Sequence, residues 1–168
     1  MNKKIIIPAL LLVLISACNS SADKDKKEAD TTTADHGHMD HATPGEGVPA
    51  LPAVPDGAKV FFANLKNGDI VSSPLKIEMG ASSIKVDTAG PIIAGVGHHH
   101  LIIDAGDSVA TGTVIPMDSV HKHFGRAQTQ TEVILAPGKH RLTLQFADGL
   151  HRSYGAGMAN SITVEVKK

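Results

Sequence analysis

Thr131-Glu132-Val133-Ile134-Leu135-Ala136-Pro137-Gly138-Lys139-His140-Arg141-Leu142-Thr143-Leu144-Gln145-Phe146 is the stretch that decides the fold. Ala136-Pro137-Gly138 at its centre is turn chemistry, because proline presets one dihedral and glycine tolerates backbone angles that other residues avoid. Beyond the turn, His140, Leu142, Leu144 and Phe146 fall on one face of an extended chain, and Arg141, Thr143 and Gln145 fall on the other. A period of two is the signature of a strand, and a helix would need 3.6.

The same grammar extends in both directions. Lys59-Val60-Phe61-Phe62-Ala63 opens the folded part, and Asn67-Gly68-Asp69 makes a turn. Leu75-Lys76-Ile77-Glu78-Met79 alternates apolar and charged residues, as a strand with one wet face does. His98 to Asp104 is apolar on both faces once past its histidines, so it should be a central, buried strand. Asp148-Gly149 turns the chain, and Ile162, Val164 and Val166 alternate in a last strand. No segment carries a capped helical period. About seven short strands joined by Gly/Pro turns over residues 58–168 predict an all-β fold, a single antiparallel immunoglobulin-like β-sandwich.

The residues ahead of this domain are of another kind. Lys3 and Lys4, the apolar run Ile5 to Ile15, and then Ser16-Ala17-Cys18 read as an export signal, too short to span a membrane permanently. Ile15-Ser16-Ala17-Cys18 resembles the bacterial lipobox. That resemblance implies a signal peptide over 1–17, lipid (palmitate and related acyl chains) on Cys18, and a membrane-anchored protein of the cell envelope or periplasm. Several acyl chains, at roughly 0.8 kcal/mol per buried methylene, hold a protein where one chain alone would not. Residues 18–57 contain almost no large apolar side chains, so they cannot offset the entropy of ordering and are expected to be a disordered tether.

Composition narrows the function. Cys18 is the one cysteine, which excludes internal disulfides, thiolate metal sites and cysteine nucleophiles from the domain. Removing Lys3 and Lys4 from 16 basic residues leaves 14 against 17 acidic ones, a balance that disfavours nucleic acid as a partner. There is no GxSxG elbow, no phosphate-cradling glycine loop and no evident carboxylate pair, and the chain has no Trp and a single Tyr for stacking sugars or bases. The expectation is a protein that is not an enzyme.

Ten histidines are the chemically distinctive residues, and they cluster. His36, His38, Met39 and His41 in the tether combine imidazole with a thioether, a mixture suited to copper, and could serve as a capture arm. In the domain, His98, His99 and His100 enter the predicted central strand, with His98 and His100 on one face and His99 on the other. His121 and His123 form another pair at spacing two, His140 begins a strand, and His151 follows the Asp148-Gly149 turn. Two His-x-His pairs with single histidines at strand ends can hold copper or zinc on a sandwich. His98, His100, His121, His123, His140 and His151 are therefore the candidate ligands. The other reading is a network of neutral, hydrogen-bonded histidines in a structural module that docks an envelope protein partner.

The order Gly97-His98-His99-His100-Leu101-Ile102-Ile103-Asp104, His121-Lys122-His123-Phe124-Gly125, Gln128-Thr129-Gln130-Thr131-Glu132 and Pro137 to Gln145 is similar to the bacterial family of domain of unknown function 4399. The resemblance spans roughly Val60 to Val166. It implies a compact exported β domain and supplies no activity. Many members carry a second histidine and a proline pair after the position of His151. This chain instead has His151-Arg152-Ser153-Tyr154-Gly155, so His151 is the ligand that segment retains.

Overall fold

The computed structural model describes residues 47–168. Cys18, the export signal and the tether histidines lie outside the described residues. Nine strands and one 3-10 turn, Ala156–Met158, occur among the described residues, and no helix there is long and apolar enough to cross a membrane.

The architecture is all-β, as the alternation predicts. Strands β1 (Lys59–Phe62), β3 (Leu75–Ser82) and β7 (Gln130–Val133) form one antiparallel sheet in the order β1-β3-β7. The second sheet runs β2 (Ile70–Val71), β9 (Ala159–Val166), β8 (Gly138–Ala147), β5 (Val96–Ile103) and β4 (Lys85–Val86). Strand β6 (His121–His123) adds to β5 beside His100 to Ile102, further along the edge where β4 meets Val96 and Gly97. The Pro137 turn carries the chain from β7 in the first sheet to β8 in the second.

Facing side chains from the two sheets make the core. Val60, Phe62, Leu75, Ile77, Met79 and Val133 meet Leu101, Leu142, Leu144, Phe146, Ile162 and Val164. Each buried aliphatic or aromatic side chain here contributes roughly 1.5–3 kcal/mol relative to exposure. Strand β8 shows why the pattern was decisive: Leu142, Leu144 and Phe146 have no exposure and point into that core.

Two features depart from the expected antiparallel sandwich. The edge pairs β2–β9 and β4–β5 are parallel. Both are two-residue pairings at sheet margins, where a passing loop finds free backbone groups, so no side-chain period announces them. The strands also number nine among the described residues, because such short pieces carry too few residues to show alternation.

The outer face of β8 is buried as well. Thr143 and Gln145, on the polar side of the alternation, are fully enclosed by loops. Gln145 accepts from the Val109 amide at 2.9 Å and donates to the Gly155 and Met158 carbonyls at 3.0 and 3.1 Å. Thr143 donates to the Gly106 carbonyl. The long loop after β5 and the loop after β8 therefore lie over this face, which His98 and His100 on β5 share as the cross-strand neighbours of Ala147 and Gln145. Ahead of β1, Leu51 packs against the core and the Pro49 carbonyl accepts from Arg152 Nη1 at 2.7 Å.

Candidate metal centre

Strand pairing places the first three rings. His98 and His100 project from the same face of β5, and His123 on β6 stands directly opposite His100 in the antiparallel register. Gly97 lets β5 approach β8 closely, because a β-carbon there would run into the Ala147 carbonyl and the Phe146 ring. His98 and His100 have no exposure, and His123 is half-buried.

The fourth ring arrives on a loop. His151 has φ 65°, a left-handed conformation that costs a non-glycine residue free energy unless its surroundings enforce it. Those surroundings are a clamp built on buried Asp148. Its Oδ1 accepts from the amides of Leu150 and Arg152, its Oδ2 accepts from Arg152 Nε at 2.8 Å, and Arg152 Nη2 stands 2.6 Å from the same oxygen. The His151 amide donates to the Asp148 carbonyl, and its own carbonyl accepts from Ile115.

The rings converge in two close pairs. His98 and His100 have their Nε2 atoms 3.0 Å apart, and His123 and His151 have theirs 3.1 Å apart. Ring centroids across the pairs are 5.0 to 6.0 Å apart. Donor atoms of His98, His100 and His123 all lie within 4.8 Å of one another, a grouping that could hold a metal ion. Bonds of ~2.0 Å place neighbouring ligand atoms ~3.3 Å apart in a tetrahedron and ~2.8 Å apart in a square plane. The 3.0 and 3.1 Å separations within the two pairs fall between those two values, while the cross-pair donor atoms of His98, His100 and His123 lie within 4.8 Å of one another.

Electrostatics keep the rings of His98, His100 and His123 neutral. Burial pushes His98 down to about 4, with the neighbouring His123 and His151 adding to the effect. His100 is pushed to about 2 by burial and then by His98 and His123. His123 is lowered by burial and by His151. Neutral imidazole is the form that ligates metal. The cluster also has an unsettled account of polar atoms: Nδ1 of His98 and of His100 are buried and have no hydrogen-bond partner. With Nε2 facing Nε2, one ring must donate and the other accept, so the cluster holds an unpaired N–H and an unpaired lone pair, each costing about 1–3 kcal/mol.

The structure separates the other candidate histidines from this centre. His140 Nδ1 lies 2.8 Å from Asp104, and its Nε2 lies 2.9 Å from the Ala136 carbonyl. Both nitrogens face acceptors, and the Asp104 hydrogen bond raises its pKa. It suits the doubly protonated cation, which has no lone pair for a metal. His121 Nδ1 is bound to Asp118 at 2.8 Å, and the residue lies two register positions from His123, opposite Ile102. His99 faces the opposite way, edge-on to Phe146 in the core, with neither ring nitrogen partnered.

Reading the sequence alone does not find the Asp148–Arg152 clamp, although an acid and an arginine four residues apart around a turn were its visible trace. Nor does it find the role of Gly125: the His123 ring occupies the space that a β-carbon at Gly125 would need.

Among protein-family models, one described as Domain of unknown function (DUF4399) matches residues 77–167, more than half of the 168-residue chain. No curated protein and no solved structure matches the chain.

Proposed function

This chain belongs to the DUF4399 family, a domain of unknown function, and on that footing we propose that it is a non-catalytic lipoprotein of the cell envelope that binds a transition metal. The observation that carries the reading is the convergence of His98, His100 and His123, two of them wholly buried, with donor atoms within 4.8 Å of one another. Burial holds the rings in the neutral, ligating form. His151 lies outside that three-residue group, but its Nε2, 3.1 Å from that of His123, makes it the candidate for a fourth position. An all-imidazole set of this kind suits copper or zinc and offers nothing to calcium or magnesium, which take oxygen ligands. The lipobox resemblance at Cys18 supports attachment to a membrane through lipid, with the domain outside the cytoplasm.

Metal analysis of the untagged protein, with thermal melts before and after chelation, tests the reading. Stoichiometric copper or zinc and a chelator-sensitive melt are expected. A protein that keeps no metal, and whose melt added copper or zinc leaves unmoved, would overturn it.

A second reading has its own support. The 3.0 and 3.1 Å contacts also suit N–H···N hydrogen bonds between neutral rings, which would pin the Asp148 loop and β6 to the sheet. In that case the domain is a structural or docking module of the envelope. Histidine-to-alanine variants would then lose stability, and no metal content would change.

A further inference from the structure

Beside the buried cluster lies an open cleft of about 370 Å³ lined by Met117, Asp118, His121, Lys122 and His123. His123 belongs to both places: one part of its ring meets His98, His100 and His151, and the residue also walls the cleft. His121 projects from the same face of β6, two residues away, which is roughly 6.6 Å along a strand.

One side chain of the cleft, His121, is held as a metal ligand would be. His121 Nδ1 donates to Asp118 Oδ1 at 2.8 Å. Asp118 also accepts from the amides of Val120 and His121, so the carboxylate is held in place. A carboxylate on one imidazole nitrogen fixes the tautomer and aims the other nitrogen's lone pair outward, the usual support for a metal-binding histidine. Among the described residues, His121 Nε2 has no hydrogen-bond partner. Met117 is 78 % exposed, so its thioether, a soft donor, is open to solvent. Lys122 brings one positive charge against the one negative charge of Asp118, so the cleft favours an ion of low charge.

The geometry points to this cleft as a loading station for copper(I), with Met117 and His121 as first ligands and His123 as the residue through which the ion passes to the buried rings. The inference rests on the reading of the cluster as a metal site. Thioether and imidazole together select monovalent copper over zinc. The step is ligand exchange: bonds from copper to Met117 and His121 form as those to its carrier break, and are then replaced by imidazole bonds. No electron moves.

The test follows copper(I) transfer from a coloured bidentate chelator to the untagged protein without oxygen, comparing wild type, Met117→Leu and His121→Gln. Each variant is expected to reach the wild-type endpoint at a rate lower by about tenfold or more, while zinc uptake by Met117→Leu stays at the wild-type rate. Met117 is exposed, whereas the His121 side chain is mostly buried against Asp118, and an unchanged melt of the metal-free variants checks that they fold. Variants that load copper as fast as wild type would overturn the loading station and leave the cluster standing. A wild type that takes up no copper would instead overturn copper binding at the cluster itself.

Discussion

The Nε2 atom of His151 lies 3.1 Å from that of His123, although 28 residues separate them in the chain. One ring comes from a loop held in a left-handed turn and the other from a three-residue edge strand. Neither element is rigid alone, so the contact depends on whatever fixes each.

For His151 that support is Asp148 with Arg152. Arg152→Ala leaves a fully buried carboxylate without its cation, which should cost about 3–5 kcal/mol. Denaturant titration of the metal-free protein measures it, and a loss below about 1 kcal/mol would refute the clamp. The variant should also bind metal more weakly, because His151 loses its orientation.

For His123 the support is the bare α-carbon of Gly125. Gly125→Ala puts a methyl group where the His123 ring sits, and the ring must move. Metal affinity is expected to fall by roughly 10–100-fold, the cost of losing a supporting partner, with the fold retained. Competition against a metal indicator reads the affinity, and an unchanged value would show that His123 is not a ligand.

The candidate histidines divide sharply by position. His98→Ala and His100→Ala should each reduce affinity by more than that roughly 10–100-fold range and abolish chelator sensitivity of the melt. His140→Ala should leave metal stoichiometry intact, since both its nitrogens are committed to Asp104 and Ala136. Equal metal content in all three variants would contradict the assignment.

Acid should destabilise the metal-free domain. Burial places His98 and His99 at about 4 and His100 at about 2, whereas the unfolded chain takes up these protons near 6.5. Below about pH 6.5 the unfolded state therefore binds more protons, and stability falls with pH until the buried rings also titrate. The contribution is complete above 6.5 and lost progressively towards about 4 for His98 and His99 and about 2 for His100, by an amount on the order of a few kcal/mol per ring. His140 acts in the opposite sense: its pKa is raised by Asp104, so its contribution is present below 6.5 and lost as pH rises through the raised value. Denaturation midpoints that stay level between about pH 7 and 5 would rule out three buried neutral imidazoles.

Lipid attachment has a direct test. Cys18→Ser removes the thiol that acylation requires, and the protein should move from the membrane fraction to the soluble one. Retention in the membrane fraction would mean that something other than lipid holds it.

The alternation over Lys139 to Phe146 was sufficient to predict β8 and the all-β class, because the period of a strand is a local property of the backbone. The buried, central position of β5 was legible for the same reason: Leu101, Ile102 and Ile103 put apolar side chains on both faces. His-x-His spacing also determined, without any structure, that His98 and His100 share a face and that His121 and His123 share another. Which of these rings meet was decided by tertiary structure alone. The register of β6 on β5 sets His123 opposite His100 and leaves His121 beside Ile102, and a slip of two residues would set His121 opposite His100 instead. Nothing in the composition of a three-residue strand specifies that register. The placement of His151 depends on a buried ion pair and a strained turn, and the commitment of His140 depends on Asp104, 36 residues earlier. Periodicity is written residue by residue into the chain, but convergence comes from pairing across long loops, and only the packed fold fixes that.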